Sequence, residues 1–210
     1  MSGFQLFNGE LVREDAAVIQ TTNRCFSYGD GFFESIRVSN SKPLFIEEHW
    51  KRIQLTADFL QILIPEEFSI FSFEKSIKLL CVKNEFKHAR IRFHVFRIGR
   101  GKYTPTDNAF GWSMKVSELD SEHYRLNKKG LIVGVCSTHR INPKPQSSFK
   151  TSNSIPYVLG GMYAKQMNWD DCLMLDSAGF IAESTNSNIF VLKDNSVLTP
   201  DLSNGGVNGV

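Results

Sequence analysis

Leu173-Met174-Leu175-Asp176-Ser177-Ala178-Gly179-Phe180-Ile181-Ala182-Glu183-Ser184-Thr185-Asn186-Ser187-Asn188-Ile189-Phe190, followed by Leu198-Thr199-Pro200, is the stretch whose pattern decides the fold. Short apolar runs at Cys172 to Leu175, Phe180 to Glu183, Ile189 to Leu192 and Val197 to Leu198 have the length and side-chain type of strands. The tetrads between them, Asp176-Ser177-Ala178-Gly179 and Lys193-Asp194-Asn195-Ser196, hold residues that bond their own backbone or accept positive φ. Antiparallel hairpins are therefore expected. Glu183 closes one of the strands, and taken alone it is a solvated strand-end carboxylate.

Upstream, the pattern predicts a strand over Leu131 to Cys136, a loop around Pro143-Lys144-Pro145 and a helix from about Ser154 to Asn168. Phe149-Lys150-Thr151-Ser152-Asn153 joins that loop to the helix and sets one lysine between an apolar residue and several hydroxyls or amides. A single lysine is a surface group by default, so Lys150 gains meaning only from what lies downstream. Further back, Ser117 to Gly130 is charged and poor in apolar residues. It predicts a boundary between an N-terminal domain, residues 1–118, and a C-terminal one, residues 119–210.

The N-terminal half opens with a hairpin over Phe4 to Val12, turning at Asn8-Gly9, where both residues tolerate positive φ. Gly29-Asp30-Gly31 precedes a strand at Phe32 to Val38. Amphipathic spacing then predicts helices over Glu47 to Gln61 and Phe73 to Val82. The stretch Ala89 to Ile98 alternates, with Ile91, Phe93 and Val95 on one face and Arg90, Arg92 and His94 on the other. That cationic face is either solvated surface or the wall of an anion-binding cleft. Strands and helices mix throughout, which places the chain in the α/β class, with an α+β-like character.

Composition narrows the function. The chain has 210 residues, 41% of them hydrophobic, enough to bury a sizeable core. Lys and Arg number 24 against 22 Asp and Glu, so the net charge of +2 offers nothing to a polyanion and no nucleic-acid partner is expected. Cys25, Cys81, Cys136 and Cys172 lie far apart, which fits neither a zinc site nor a disulfide framework, and the histidines lack metal-ligand spacing, so no metal is expected. The N-terminus meets acidic residues before any apolar run, and later runs are too short to span a bilayer, so a soluble, cytoplasmic protein is expected. Gly101-Lys102 lacks the other residues of a P-loop, and Gly111-Trp112-Ser113-Met114-Lys115 lacks the second glycine of a nucleophile elbow.

Lys150 and the element from Glu183 to Phe190 together resemble the class IV (fold type IV) pyridoxal-phosphate-dependent aminotransferases. This family includes branched-chain and D-amino-acid aminotransferases and aminodeoxychorismate lyase, which share a lysine and then a hairpin ending in E-x-x-x-x-N-x-F. Tyr28-Gly29-Asp30-Gly31-Phe32-Phe33-Glu34 resembles the family's G-[DE]-G-x-F-E element, and His49-Trp50-Lys51-Arg52-Ile53 its H-x-x-R-[LI] element. Gly205-Gly206-Val207-Asn208-Gly209-Val210 is similar to the start of its phosphate-binding turn. The elements follow in the family's order over nearly the whole chain.

The resemblance implies a two-domain fold type IV architecture, a smaller N-terminal domain, an active site between the domains, and a homodimer. It implies pyridoxal 5'-phosphate as cofactor, carried by Lys150 as a Schiff base, with the same lysine moving the substrate's α-proton. Glu183 would keep the pyridine nitrogen protonated, and Arg52 would hold the phosphate bidentately. Backbone amides around Gly209 and Val210, with the hydroxyls of Ser184 and Thr185, would complete the anion cradle. The ending at Val210, inside the expected phosphate turn, implies a truncated C-terminal domain.

On the reaction, the branched-chain enzymes carry a tyrosine where this chain has Ile155. The D-amino-acid enzymes carry R-x-H near Arg100-Gly101-Lys102, where the histidine is missing, while aminodeoxychorismate lyase offers R-G-Y there and an asparagine like Asn153 after the lysine. Arg97 or Arg100 would grip a substrate carboxylate in either reaction. The expectation is an aminotransferase moving an amino group between an amino acid and a 2-oxo acid. The alternatives are a lyase turning 4-amino-4-deoxychorismate into 4-aminobenzoate and pyruvate, and a non-catalytic truncated relative.

Overall fold

The computed structural model describes residues 3–210 and divides the chain into two compact units, one extending to Tyr124 and taking in Val210, the other covering Arg125–Gly209. Among the described residues no helix is long and apolar enough to cross a membrane.

The first unit holds β1 (Phe4–Phe7), β2 (Glu10–Arg13), α1 (Arg24–Tyr28), β3 (Gly31–Ser39), β4 (Lys42–Pro43), α2 (Ile46–Leu60), α3 (Ile70–Lys83), β5 (Ala89–Arg97) and β6 (Phe110–Glu118). Its strands form an antiparallel sheet in the order β2-β1-β6-β5-β3-β4. The hairpin turns at Asn8 and Gly9 with φ of 49° and 90°, as the dipeptide predicts. Ile91, Phe93 and Val95 of β5 are wholly buried, with Ile36 of β3, Ile53 of α2, and Phe73 and Ile77 of α3. Burying each such side chain stabilises the fold by roughly 1.5–3 kcal/mol. On the opposite face of β5, Arg90 and Arg92 are exposed and the Arg92 guanidinium lies 3.3 Å over the Phe33 ring.

Two elements of this unit escape periodicity. The five-residue α1 is too short for a helical pattern, and depends on Asn23, whose side chain accepts from the Cys25 and Phe26 amides. In β6 the polar Ser113, Lys115 and Ser117 mask the inward Trp112 and Met114, and Gly111 reads as a break. Yet Gly111 pairs with Phe96 across the sheet, and a Cβ there would lie 2.5 Å from the Phe96 ring. The glycine makes room for the ring.

The first compact unit extends to Tyr124, past Glu118. Arg37 donates to the Ser121 carbonyl and stacks on the Tyr124 ring at 4.6 Å, and Ser39 Oγ donates to the Glu122 carbonyl at 3.1 Å. These contacts bind a polar segment to the first unit, although its composition resembles a linker.

The second unit holds β7 (Val133–Ile141), α4 (Ile155–Gln166), β8 (Asp171–Asp176), β9 (Ile181–Ser184), β10 (Val191–Lys193) and β11 (Ser196–Leu198). β8 pairs antiparallel with β9, and β10 with β11, as the turn residues predict, while β7 pairs parallel with β8. A parallel pair needs a long crossover, which the segment containing α4 supplies. β7 runs past Cys136 to Ile141 through an irregularity between Val135 and Arg140, so its exposed second half has no apolar alternation to betray it. Cys136, Cys172, Met174 and Ala164 form the core beneath α4.

Candidate active site

In the second unit the register of β8 and β9 sets Glu183 opposite Met174, and both side chains are buried, at 4% and 0% exposure. Facing residues of an antiparallel pair share a face, which carries the Glu183 carboxylate to the α4 side. There the Tyr157 hydroxyl, in the first turn of α4, donates to Glu183 Oε1 at 2.5 Å. The Val207 amide donates to Oε2 at 3.0 Å.

That second bond explains the spacing of the motif. Asp176 Oδ1 accepts from the Ala178 and Phe180 amides and closes the hairpin, while Oδ2 accepts from Asn204 Nδ2 at 2.9 Å. The bond from Asn204, with those amides, holds the Asp176 carboxyl below its ordinary range against the effect of burial. It also draws the 202–207 segment back over the sheet. Ser184 and Ser187 then form a turn in which Ser187 N donates to Ser184 Oγ and Ser184 N to the Ser187 carbonyl. Asn188 follows, and its Nδ2 donates to the Val207 carbonyl at 2.9 Å. Glu183 and Asn188 therefore hold the two polar groups of one residue, Val207.

Lys150 is half-buried between the Pro145–Ser148 turn and α4, and its charge acts on Glu183. Burial raises the Glu183 carboxyl above its ordinary range, and the bonds from Tyr157 and Val207 and the Lys150 charge only partly offset that. Burial, then the Glu183 charge and bond, push the Tyr157 phenol upward, so it remains a protonated donor. A buried carboxylate with elevated proton affinity beside a lysine suits a cofactor that has a cationic ring nitrogen and an amine-reactive group. A carboxylate oxygen has two lone pairs, so Glu183 Oε1 and Oε2 can each accept beyond the bonds from Tyr157 and Val207.

Two of the expected phosphate ligands, the hydroxyls of Ser184 and Thr185, are otherwise engaged. Ser184 is 7% exposed and its hydroxyl donates to the Ser187 carbonyl at 3.1 Å. The Thr185 hydroxyl donates to Asp171, itself 8% exposed. Gly209 lies against Asn188, whose Oδ1 would be 2.4 Å from a Cβ placed there, and Val210 is half exposed.

In the first unit, Arg52 meets Glu34 through two bonds, Nε to Oε1 at 2.7 Å and Nη2 to Oε2 at 2.6 Å. His49 Nδ1 lies 2.8 Å from the same Oε2. The G-D-G-x-F-E and H-x-x-R elements thus converge on one buried carboxylate. Of the two arginines expected to grip a substrate, Arg97 is 8% exposed and donates to Asp30, the Leu60 and Gln61 carbonyls and Asn108. Arg100 is exposed, in the 98–109 connection between β5 and β6.

Tyr157 and Val207 have no sequence signal of their own. Tyr157 is one aromatic in an apolar helix, and Val207 acts through its backbone; only strand register and the returning segment bring them to Glu183.

Comparison with known proteins adds a separate line. The model of the amino-transferase class IV family matches residues 31–210. A probable branched-chain-amino-acid aminotransferase of Rickettsia bellii is 28% identical over 195 residues, covering 92% of this chain and 66% of that protein. The aminodeoxychorismate lyase of Vibrio harveyi is 31% identical over 193 residues, covering 90% of this chain and 68% of that protein. The chain thus spans about two thirds of the length of these relatives. The branched-chain aminotransferase of the archaeon Thermoproteus uzoniensis superposes with a TM-score of 0.88 at 20% identity, over 100% of this chain and 72% of its own.

Proposed function

Because this chain belongs to the amino-transferase class IV family of pyridoxal-phosphate enzymes, we propose that it is an amino-acid aminotransferase that moves an amino group between an amino acid and a 2-oxo acid. The observation that carries this reading is the buried Glu183, raised in pKa, bonded by Tyr157 and Val207 and facing the Lys150 charge.

Pyridoxal phosphate supplies an aldehyde that condenses with amines and a protonated ring that accepts the electron pair left when an amino acid loses its α-proton. Lys150 would be the amine that holds it, and its free amine would be the base that takes the proton from the substrate Cα. Glu183 would keep the proton on the ring nitrogen, and a cation there would compensate the carboxylate for its burial. Tyr157 fixes the orientation of Glu183 by donating to Oε1. Arg52, oriented by Glu34, is assigned to phosphate, as separately are the amides of Gly209 and Val210, while the Ser184 and Thr185 hydroxyls donate to Ser187 and Asp171. Arg100 is the arginine assigned to the substrate carboxylate, with Arg97 behind it as a brace. We place the protein in the cytoplasm as a homodimer, acting on small molecules.

The second reading is 4-amino-4-deoxychorismate lysis. Ile155, where the branched-chain enzymes carry tyrosine, and the lyase-like Asn153 and Arg100-Gly101 favour it. Both readings share Lys150. A spectrum taken on adding pyridoxal phosphate, followed by L- and D-amino acids and aminodeoxychorismate, separates them by which compound shifts the cofactor band. Lys150→Ala is expected to abolish the band while leaving far-ultraviolet dichroism unchanged; a band retained in that variant excludes Lys150 as the carrier.

A further inference from the structure

Arg24 has no part in the chemistry above, yet it is 3% exposed and its guanidinium is among the most heavily bonded in the first unit. Nε donates to Asp30 Oδ2 at 2.7 Å. Nη1 donates to the carbonyls of Arg100 at 3.5 Å, Gly101 at 3.1 Å and Lys102 at 2.7 Å, and Nη2 donates to that of Tyr103 at 3.5 Å. One side chain thus gathers four successive carbonyls of the connection between β5 and β6, while the side chains of Arg100, Lys102 and Tyr103 are exposed. The Tyr28 ring covers the guanidinium at 5.1 Å and lies 5.6 Å from the Tyr103 ring.

Asp30 Oδ2 also accepts from Arg97 Nε at 3.1 Å, and Arg97 reaches Asn108 at the far end of the same connection. The loop closes on itself where Thr106 N donates to the Arg100 carbonyl and Arg100 N donates to Thr106 Oγ1. Charge-assisted bonds to several carbonyls cost more to break than one neutral bond, so this exposed loop is held from inside.

We propose that Arg24 is the positioning residue of the 100–103 loop: it fixes the four carbonyls and thereby sets where the Arg100 side chain stands for a substrate carboxylate. The second half of this statement rests on the reading of Arg100 given above.

Trypsin tests the first half without cofactor or turnover. Cleavage after Arg100 or Lys102 requires the carbonyl of that residue, and both are bonded to Arg24. In Arg24→Met, cleavage at these two sites, measured by mass spectrometry against cleavage at the exposed Lys128-Lys129 segment, is expected to quicken about tenfold or more. An unchanged ratio overturns the proposal. Arg24→Lys, which keeps the charge and reaches Asp30 or one carbonyl but not all five partners, should fall between, and it carries the test if the Met variant does not fold. In the cofactor-loaded enzyme, Arg24→Met is expected to raise KM for the amino acid with kcat retained, and to add nothing further to Arg100→Gln. If Arg100→Gln raises KM and Arg24→Met does not, positioning is overturned. If Arg100→Gln leaves KM unchanged, the carboxylate reading fails, while faster cleavage still upholds the hold of Arg24 on the loop.

Discussion

Glu34 illustrates how a residue changes meaning between sequence and structure. In the sequence it ends a G-D-G-x-F-E element; in the fold it is 1% exposed and receives Arg52 and His49 together. Burial pushes its carboxyl upward, but the bonds and charges of Arg52 and His49 outweigh this and hold it below the ordinary range. For an acid depressed by folding, the stabilisation is present above the unfolded pKa of about 4.5 and is lost as pH falls through the folded value. Glu34→Gln should cost about 3–5 kcal/mol at neutral pH by leaving Arg52 imperfectly paired. Urea midpoints taken from pH 7 downward should show the gap from wild type narrowing below about pH 4.5, and parallel curves would refute it. His94, pushed down to about 4 by burial and then by Arg92, weakens both proteins as pH falls from 6.5 through that value, so only the difference between them reports on Glu34. Arg52, Glu183 and Lys150 were each legible as candidates because family elements name them. Arg97 shows the opposite: an arginine on a strand looks like a ligand until the carbonyls around it are known.

The strands and helices with clean periodicity, β3, α2, α3 and β5, are legible because one face of each is buried and the other is wet. β6 is not, although it lies between β1 and β5 in the sheet. Its glycine and serines read as a break, and one of its two partners, β1, lies far away in the sequence. Gly111→Ala tests the physical reason: the new Cβ would meet Phe96 Cε2 at 2.5 Å and Ile98 Cγ1 at 2.6 Å. Crowding of this kind costs about 1–3 kcal/mol. A thermal midpoint equal to wild type would mean the Phe96 ring moves aside without penalty. The hairpin of β8 and β9 is legible from Asp176-Ser177-Ala178-Gly179, but the burial of Glu183 beneath α4 depends on a register that no local signal states.

Each unit has its own core: the aliphatic and aromatic cluster of Ile91, Phe93, Phe73 and Ile53 in the first, and the sulfur-rich cluster of Cys136, Cys172 and Met174 in the second. A ligand that binds the native chain and not the unfolded one stabilises it by mass action, by about 2.7 kcal/mol at a hundredfold excess over Kd. Urea unfolding followed at rising pyridoxal phosphate should therefore show the midpoint climbing with the logarithm of concentration. A midpoint that ignores the cofactor at every concentration would argue for a member of the family that has lost cofactor binding.

By itself the sequence determined the family, the cofactor that its residues suit and most of the regular elements, and it named the lysine and the carboxylate as candidates, because those depend on residue types at fixed spacing. Only the tertiary structure decided which polar groups meet. Tyr157 and the Val207 amide reach Glu183, Asn188 reaches the Val207 carbonyl, Arg97 turns inward, and Arg24 gathers a loop distant in sequence. The physical reason is that hydrogen bonds act over about 3 Å between groups whose separation along the chain is arbitrary, so strand register and loop closure, not spacing, choose the partners.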